Sequence, residues 1–137
     1  MAADLSYYSG EDMPEKSSMM AHSNVFLTVY STMVVETAIH GRPIISLCLD
    51  TPGGWPADRK YSLPLSQIGN WPTHDRFRKA GAGRVALTEQ ELTRAINDYL
   101  EQPELDAEQR AAFVKAEVTY TDGSAGRRTG EFLASLA

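Results

Sequence analysis

The stretch NVFLTVYSTMVVETAIHGRPIISLC, residues 24–48, decides the fold. Residues 25–29 within it have the β-branched and aromatic content of a buried strand, and residues 44–49 have the same character. Ser31 and Thr32 follow the first strand, and hydroxyl side chains favour helix N-termini because they accept the unpaired N–H groups of the first turn. The stretch therefore predicts a strand–helix–strand unit.

The helix of this unit carries the first indication of function. It covers residues 33–39 and is followed by Gly41, at a position where helices favour a left-handed glycine. Its N-terminus is occupied by Ser31 and Thr32. Helix N-termini bind anions, especially phosphates, through free N–H groups and the positive end of the helix dipole. The unit therefore predicts a phosphate site at Ser31 and Thr32.

The rest of the chain extends this unit into a small α/β fold. Thr88 and Glu91 match a capping box, and Asp106 stands where a further helix needs an N-cap. The remaining predicted elements are helices at 14–22, 74–80, 89–102, 107–118 and 125–136 and a strand at 84–87. Helices that alternate with strands favour parallel pairing. We expect half of a Rossmann-like doubly wound domain, with three short parallel strands and flanking helices.

Residues 50–73 contain so many prolines and glycines that long helices or strands are excluded, and we expect a long irregular loop there. The length of 137 residues fits a single domain over 1–137. It contains loop 50–73 as an internal segment.

Composition narrows the function classes. A hydrophobic content of 42% and a charged content of 23% are ordinary for a soluble domain, and a net charge of -5 argues against nucleic acid as a partner. Cys48 is the sole cysteine, which excludes an internal disulfide and the cysteine-based zinc motifs, so we expect no metal site. No apolar run approaches the length of a membrane span, and the N-terminus lacks a signal-peptide pattern. We therefore expect a cytoplasmic protein without a membrane span.

The motif Tyr30-Ser31-Thr32…Glu36…Gly41-Arg42-Pro43 is specific enough to suggest a family. It resembles the donor-binding, C-terminal part of glycosyltransferases with the GT-B fold. That broad group also contains the UDP-N-acetylglucosamine 2-epimerases and the glycerophosphotransferases of teichoic acid synthesis. The helix at 92–100 and the segment DGSAGRR at 122–128 resemble the same group, so the likeness covers residues 17–136.

The resemblance implies roles for three residues. Ser31 and Thr32 would hold the diphosphate of a nucleotide-sugar substrate, UDP-linked by expectation, and Glu36 would accept hydrogen bonds from the two ribose hydroxyls. The implied reaction is transfer of a glycosyl group to an acceptor, with no metal and no separate cofactor. The resemblance places the catalytic residues in the remaining N-terminal part of a full-length protein, which becomes a partner of this segment. We therefore expect the isolated chain to be inactive.

Other interpretations remain open at this level. Ser31 and Thr32 also fit a plain N-cap, and Glu36 also fits a solvated helix position. His74 is a lone histidine that we assign to structure. The whole chain also fits a sugar-nucleotide epimerase of the same fold, or a non-catalytic interaction module on a half-Rossmann frame. Because half a sheet leaves an unpaired edge, we further expect the chain alone to form a homodimer or to aggregate.

Overall fold

The fold is an open α/β arrangement around a three-stranded parallel sheet. The computed structural model describes residues 12–29, 31–50, 67 and 71–136. Tyr30 and most of the loop predicted over 50–73 lie outside this part of the chain. The described elements are α1 (Asp12–His22), β1 (Phe26–Val29), α2 (Met33–Ile39), β2 (Ile44–Leu47), α3 (Pro72–Ala80), β3 (Arg84–Ala86), α4 (Glu89–Glu101), α5 (Ala107–Glu117) and α6 (Ala125–Ala134).

The sheet has the order β1-β2-β3, and both neighbouring pairs are parallel. Phe26 lies opposite Ile44, and Ile45 lies opposite Arg84. Parallel neighbours require crossover connections, and α2 and α3 each lie within one of them. The predicted fold class, three short parallel strands with flanking helices, is therefore confirmed.

Helices cover the sheet on both faces. Successive residues of a strand point to opposite faces, so Ile44 and Ile45 in the central strand belong to different cores. The first core joins Ile44 to α2, α3 and α5 and contains Val34, Ala38, Phe77, Ala82 and Phe113. The second joins Ile45 to β3 and α4 and contains Ala86, Ala95 and Tyr99. The strand–helix–strand unit is thus the centre of a three-layer structure.

The predicted helix signals are confirmed where they act locally. Gly41 has φ +70°, as its left-handed role requires. The Thr88 hydroxyl accepts a hydrogen bond from the N–H of Glu91 at 3.2 Å, and the Glu91 carboxylate accepts one from the N–H of Thr88 at 3.1 Å. The capping box predicted at the start of α4 is therefore present in full.

The role predicted for Asp106 is wrong. Asp106 occupies the N-cap position of α5, but its side chain makes no capping hydrogen bond and its φ is +61°. Its carboxylate instead accepts a hydrogen bond from the Tyr99 hydroxyl at 2.9 Å and pairs with the Arg84 Nε at 3.0 Å. Partners from other elements therefore bind this carboxylate in place of the local cap.

Element ends also differ slightly from the sequence prediction. Strand β2 ends at Leu47 and not at residue 49, α1 begins at Asp12, and α3 begins at Pro72. Among the described residues, no helix has both the length and the apolar character needed to cross a membrane.

Candidate functional site

The candidate site lies at the carboxyl edge of the sheet. In open parallel sheets, ligands bind in the crevice outside the carboxyl ends of the strands. Strand β1 ends at Val29, and the chain reaches Ser31 and Thr32 at the start of α2 within three residues. The connection from β2 to α3 starts at the same edge. The sequence-predicted phosphate residues therefore stand where the fold favours a ligand.

Ser31 and Thr32 have different local roles. The Ser31 hydroxyl accepts a hydrogen bond from the N–H of Met33 at 3.1 Å, so Ser31 caps α2 through its side chain. Thr32 already has helical backbone angles, and its hydroxyl makes no capping bond. Thr32 is exposed, whereas Ser31 is half-buried. The Thr32 hydroxyl is therefore the one that the local helix start does not use.

The first turn of α2 satisfies part of its own hydrogen-bonding capacity. The N–H groups of Val34 and Val35 bond to the carbonyl oxygens of Ser31 and Thr32, at 3.2 and 3.0 Å. Outside these bonds and the Ser31 cap, the turn offers the Thr32 hydroxyl and the N–H groups of Ser31 and Thr32. Because α2 has only 7 residues, its dipole is small. These hydrogen-bond donors would therefore contribute more than the dipole to the binding of an anion.

Glu36 lies one turn further into α2, on the side that faces α1. Residues four apart share a helix face, which places Glu36 beneath Thr32. The Glu36 Oε2 pairs with the Lys16 Nζ of α1 at 2.6 Å, and both side chains are about one third exposed, at 36% and 35%. The structure thus brings the three predicted residues onto one end of α2 and adds Lys16 to them.

A buried polar pair, Ser46 and His74, lies beneath this edge, on the face of the sheet that α2 and α3 cover. The Ser46 Oγ is 2.8 Å from the His74 Nε2, and Ser46 lies opposite Thr28 in the neighbouring strand β1. Ser46 and His74 are both fully buried. Because His74 lies in the first turn of α3, this hydrogen bond fixes the start of α3 to the end of β2. The interpretation of His74 as a structural residue fits this arrangement.

Cys48 follows β2 and is buried to 1% exposure. Burial raises the pKa of the Cys48 thiol, and a hydrogen bond from Ser46 opposes this shift only in part. A neutral thiol is a poor nucleophile and a poor metal ligand. Cys48 therefore adds packing rather than chemistry to this edge.

The cations of α3 are balanced within the chain. Arg76 pairs with Glu117 at 2.8 Å, and Asp75 binds both Arg78 at 2.8 Å and Lys79 at 2.6 Å. Hydrogen bonds from Lys79 and Arg78 lower the pKa of Asp75. In the described part of the chain, no group of three or more His, Cys, Asp or Glu side chains converges to hold a metal ion.

Lys16 and Ser46 are the site-forming residues that sequence reasoning missed. Lys16 lies on a polar helix with no motif, and its partner follows it at Glu36 in another element. Ser46 sits inside an apolar strand, and its partner is 28 residues away. Neither pairing leaves a pattern in the nearby sequence, because each joins residues of two separate elements. Only the structure shows which elements are in contact.

Of three comparisons with known proteins, one found a match. A search of the curated proteins and a search of the solved structures each found no match. The model of one protein family, described as CDP-glycerol:poly(glycerophosphate) glycerophosphotransferase, matches residues 3–135. The match spans nearly the whole chain and includes the strand–helix–strand unit and the candidate site. The chain therefore belongs to the CDP-glycerol:poly(glycerophosphate) glycerophosphotransferase family, a family of transferases.

Proposed function

We propose that this chain is the donor-binding segment of a glycerophosphotransferase, with CDP-glycerol as donor and poly(glycerophosphate) as acceptor. One observation carries the proposal. In a chain matched by this family over residues 3–135, Ser31, Thr32 and Glu36 lie together at the carboxyl edge of a parallel sheet. The donor named by the family replaces the UDP-linked donor expected from the sequence motif alone.

The reaction follows from the names of donor and acceptor. A hydroxyl oxygen at the end of the acceptor attacks the phosphorus that carries glycerol. A new P–O bond forms there, and the bond between this phosphorus and the bridging oxygen of the diphosphate breaks. Cytidine monophosphate leaves with the bridging oxygen, and the hydroxyl proton passes to a base. Groups that bind the developing negative charge of the leaving phosphate accelerate such a step.

Ser31 and Thr32 suit the diphosphate of this donor. Small hydroxyl side chains and backbone N–H groups let phosphate oxygens approach closely, and they remain neutral. The Thr32 hydroxyl is exposed and free of the helix cap, which supports a contact with the ligand. These donors would bind the phosphate that leaves with cytidine.

Glu36 suits the ribose. An ionised carboxylate accepts strong hydrogen bonds from hydroxyl groups, and a vicinal diol supplies two of them. Glu36 is 36% exposed, so solvent and a ligand both reach it. Its place one turn from the phosphate residues matches the short distance between the diphosphate and the ribose of a nucleotide.

Glycosyl transfer from a nucleotide sugar is the second candidate function. The three residues would contact diphosphate and ribose, which CDP-glycerol and a nucleotide sugar share, and not the group that is transferred. The motif around Glu36 therefore supports either donor. It also supports the substrate of a sugar-nucleotide epimerase. The family match favours CDP-glycerol among them.

We further propose that β1 pairs with additional strands of the same donor domain in a larger protein. Strand β1 is an outer strand of the described sheet, and Leu27 and Val29 on it are 40% and 49% exposed. Unpaired edges beside apolar side chains promote association. Analytical ultracentrifugation of this chain is expected to show dimers or larger species, and a clean monomer would contradict the proposal.

Calorimetric titration tests the donor assignment. We expect the chain to bind CDP-glycerol and CDP weakly and to prefer them to UDP and GDP. E36Q should weaken CDP binding about tenfold, because a hydrogen bond to a charged group is lost. E131Q is the matched control, since Glu131 pairs with Arg127 on the exposed helix α6.

The titration also separates the alternatives. A preference for UDP that depends on Glu36 would favour glycosyl transfer from a nucleotide sugar. A folded chain that binds none of the nucleotides would favour a non-catalytic interaction module. Equal effects of E36Q and E131Q would remove Glu36 from the site.

A further inference from the structure

Helix α1 contributes a charged side chain to the candidate site. The Lys16 Nζ lies 2.6 Å from the Oε2 of Glu36, the carboxylate proposed to bind ribose. Both side chains are about one third exposed. Exposed ion pairs of this kind contribute little to the stability of a protein. Stability alone therefore does not explain why this carboxylate has a partner.

The position of Lys16 is well defined, because hydrogen bonds join α1 to the residues that directly follow α2. Met20 is the buried residue of α1, at 3% exposure. The Ser17 Oγ is 3.3 Å from the His40 Nε2, beyond Lys16 along α1. The Arg42 Nε donates a hydrogen bond to the Ala21 carbonyl oxygen at 2.6 Å, near the end of α1. Lys16 is thus presented to Glu36 from a helix that is held in place.

A free glutamate side chain samples many rotamers, and binding a diol requires one of them. An ammonium group on one carboxylate oxygen restricts the side chain and leaves the second oxygen open. In the structure, the contact between the Lys16 Nζ and Glu36 is made to Oε2. Side chains that hold a binding group in its working geometry reduce the entropy lost when the ligand binds.

We propose that Lys16 is a positioning residue of the donor site, which holds Glu36 so that its second oxygen faces the ribose hydroxyls. This inference rests on the proposed function, because it requires Glu36 to bind ribose. It extends the site from the strand–helix–strand unit to helix α1. It also predicts that Lys16 acts on the recognition of ribose and not on the diphosphate.

The test measures discrimination between CDP and 2′,3′-dideoxy-CDP by calorimetry on the full chain. The wild-type chain should bind CDP about tenfold more tightly, since the dideoxy compound lacks both hydroxyls. K16M keeps the aliphatic stem and removes the charge, and it should lower this preference to about threefold or less. K16R keeps the charge and should retain most of the preference.

K79M is the matched control for the lysine substitution. Lys79 also pairs with a carboxylate, that of Asp75 at 2.6 Å within α3, and has no role in the proposal. K79M should leave the preference for CDP unchanged. Thermal melting of all variants should stay close to that of the wild type, because ion pairs in contact with solvent contribute little to stability.

The outcomes separate this inference from the proposed function. If E36Q abolishes the preference and K16M leaves it intact, Lys16 is not a positioning residue and the proposed function stands. If K16M weakens both nucleotides equally and lowers the melting temperature, Lys16 is structural and the inference is wrong. If the wild-type chain binds neither nucleotide, or does not distinguish them, the ribose role of Glu36 fails and this inference fails with it.

Discussion

Helices α4 and α6 are both amphipathic, but only α4 belongs to the core. Ala95 and Tyr99 of α4 pack against Ile45 and Ala86 on one face of the sheet. No residue of α6 is buried, and its Phe132 and Leu133 are 63% and 60% exposed. An apolar stripe therefore predicts that a helix forms and does not by itself specify what the stripe contacts.

The segment that leads into α6 is organised by polar contacts instead. Asp122 accepts hydrogen bonds from Ser124 and from Arg128, the latter at 2.7 Å, and the Arg128 guanidinium lies 3.6 Å from the centre of the Tyr120 ring. The bonds from Ser124, and more weakly those from Arg128, lower the pKa of the Asp122 carboxyl. Such contacts fix local geometry in water but add little to global stability. Substitutions in the sheet and in α6 should therefore have very different effects.

The largest effect is expected at Gly83, just before β3. A Cβ atom there would lie 2.5 Å from the Ile44 carbonyl oxygen and 2.6 Å from the Phe77 Cζ. Backbone and core must shift to accept it, so G83A should lower the free energy of unfolding by about 3 kcal/mol. Urea unfolding followed by circular dichroism measures this loss. A cost below about 1 kcal/mol would show that the sheet adapts more easily than a packed core does.

The next effect is expected at Tyr99, whose hydroxyl donates to Asp106 at 2.9 Å. Y99F keeps the ring but removes the hydrogen bond to a carboxylate, which should cost about 2 kcal/mol in urea unfolding at neutral pH. Leu92 lies beside Tyr99 in the same cluster and carries no polar group. L92M preserves that packing and is expected to cost less than Y99F.

Tyr99 also gives a dependence on pH with a definite sign. Burial, followed by the bond to Asp106, raises the pKa of the Tyr99 hydroxyl above its usual value. A raised pKa means that the stabilisation is complete below about pH 10, where unfolded tyrosine stays neutral, and is lost as the pH rises further. The free energy difference between wild type and Y99F should therefore shrink above about pH 10. If the difference in unfolding free energy stayed constant up to about pH 11.5, well above the reference pKa of tyrosine, this prediction would be wrong.

A smaller effect is expected at the capping box of α4. T88A removes the acceptor of the Glu91 N–H, which should cost about 1 kcal/mol of unfolding free energy. Thr93 offers a control on the same helix, because its hydroxyl bonds only to the Glu89 carbonyl oxygen one turn earlier. T93A should be neutral or slightly stabilising, since alanine favours helices. Equal losses in both variants would argue against a specific cap.

The smallest global effect is expected in α6. Gly130 has no atom within 4 Å of an added Cβ, so G130A should stabilise the helix itself by up to about 1 kcal/mol. Since α6 buries nothing, amide exchange should slow within α6 while the midpoint of urea unfolding stays the same. A matching rise in the midpoint would mean that α6 unfolds together with the sheet.

The sequence predicted most of the helices and strands, because their signals lie within a few residues of one another. The Thr88–Glu91 box and Gly41 are examples, and both have the predicted geometry. Asp106 shows where such reasoning fails. Its type and position fit an N-cap, but Tyr99 and Arg84 from other elements bind its carboxylate more favourably. A local pattern cannot weigh a partner that only the fold supplies.

For the candidate site, the residues that the motif named were Ser31, Thr32 and Glu36. Their common place at the carboxyl edge follows from parallel strands, which the sequence also predicted. The motif did not reveal that Ser31, and not Thr32, caps the helix through its side chain. That division of roles depends on the helical backbone angles of Thr32, and the sequence motif does not determine those angles.

The sequence by itself determined the α/β class, the order of the elements and the hydroxyl-and-carboxylate motif, because periodicity, caps and turns act over short distances along the chain. Only the tertiary structure decided that Lys16 meets Glu36, that His74 meets Ser46, and that α4 enters the core while α6 does not. These outcomes join residues from separate elements. They depend on which surfaces complement one another after the sheet has formed, and no local pattern encodes that complementarity.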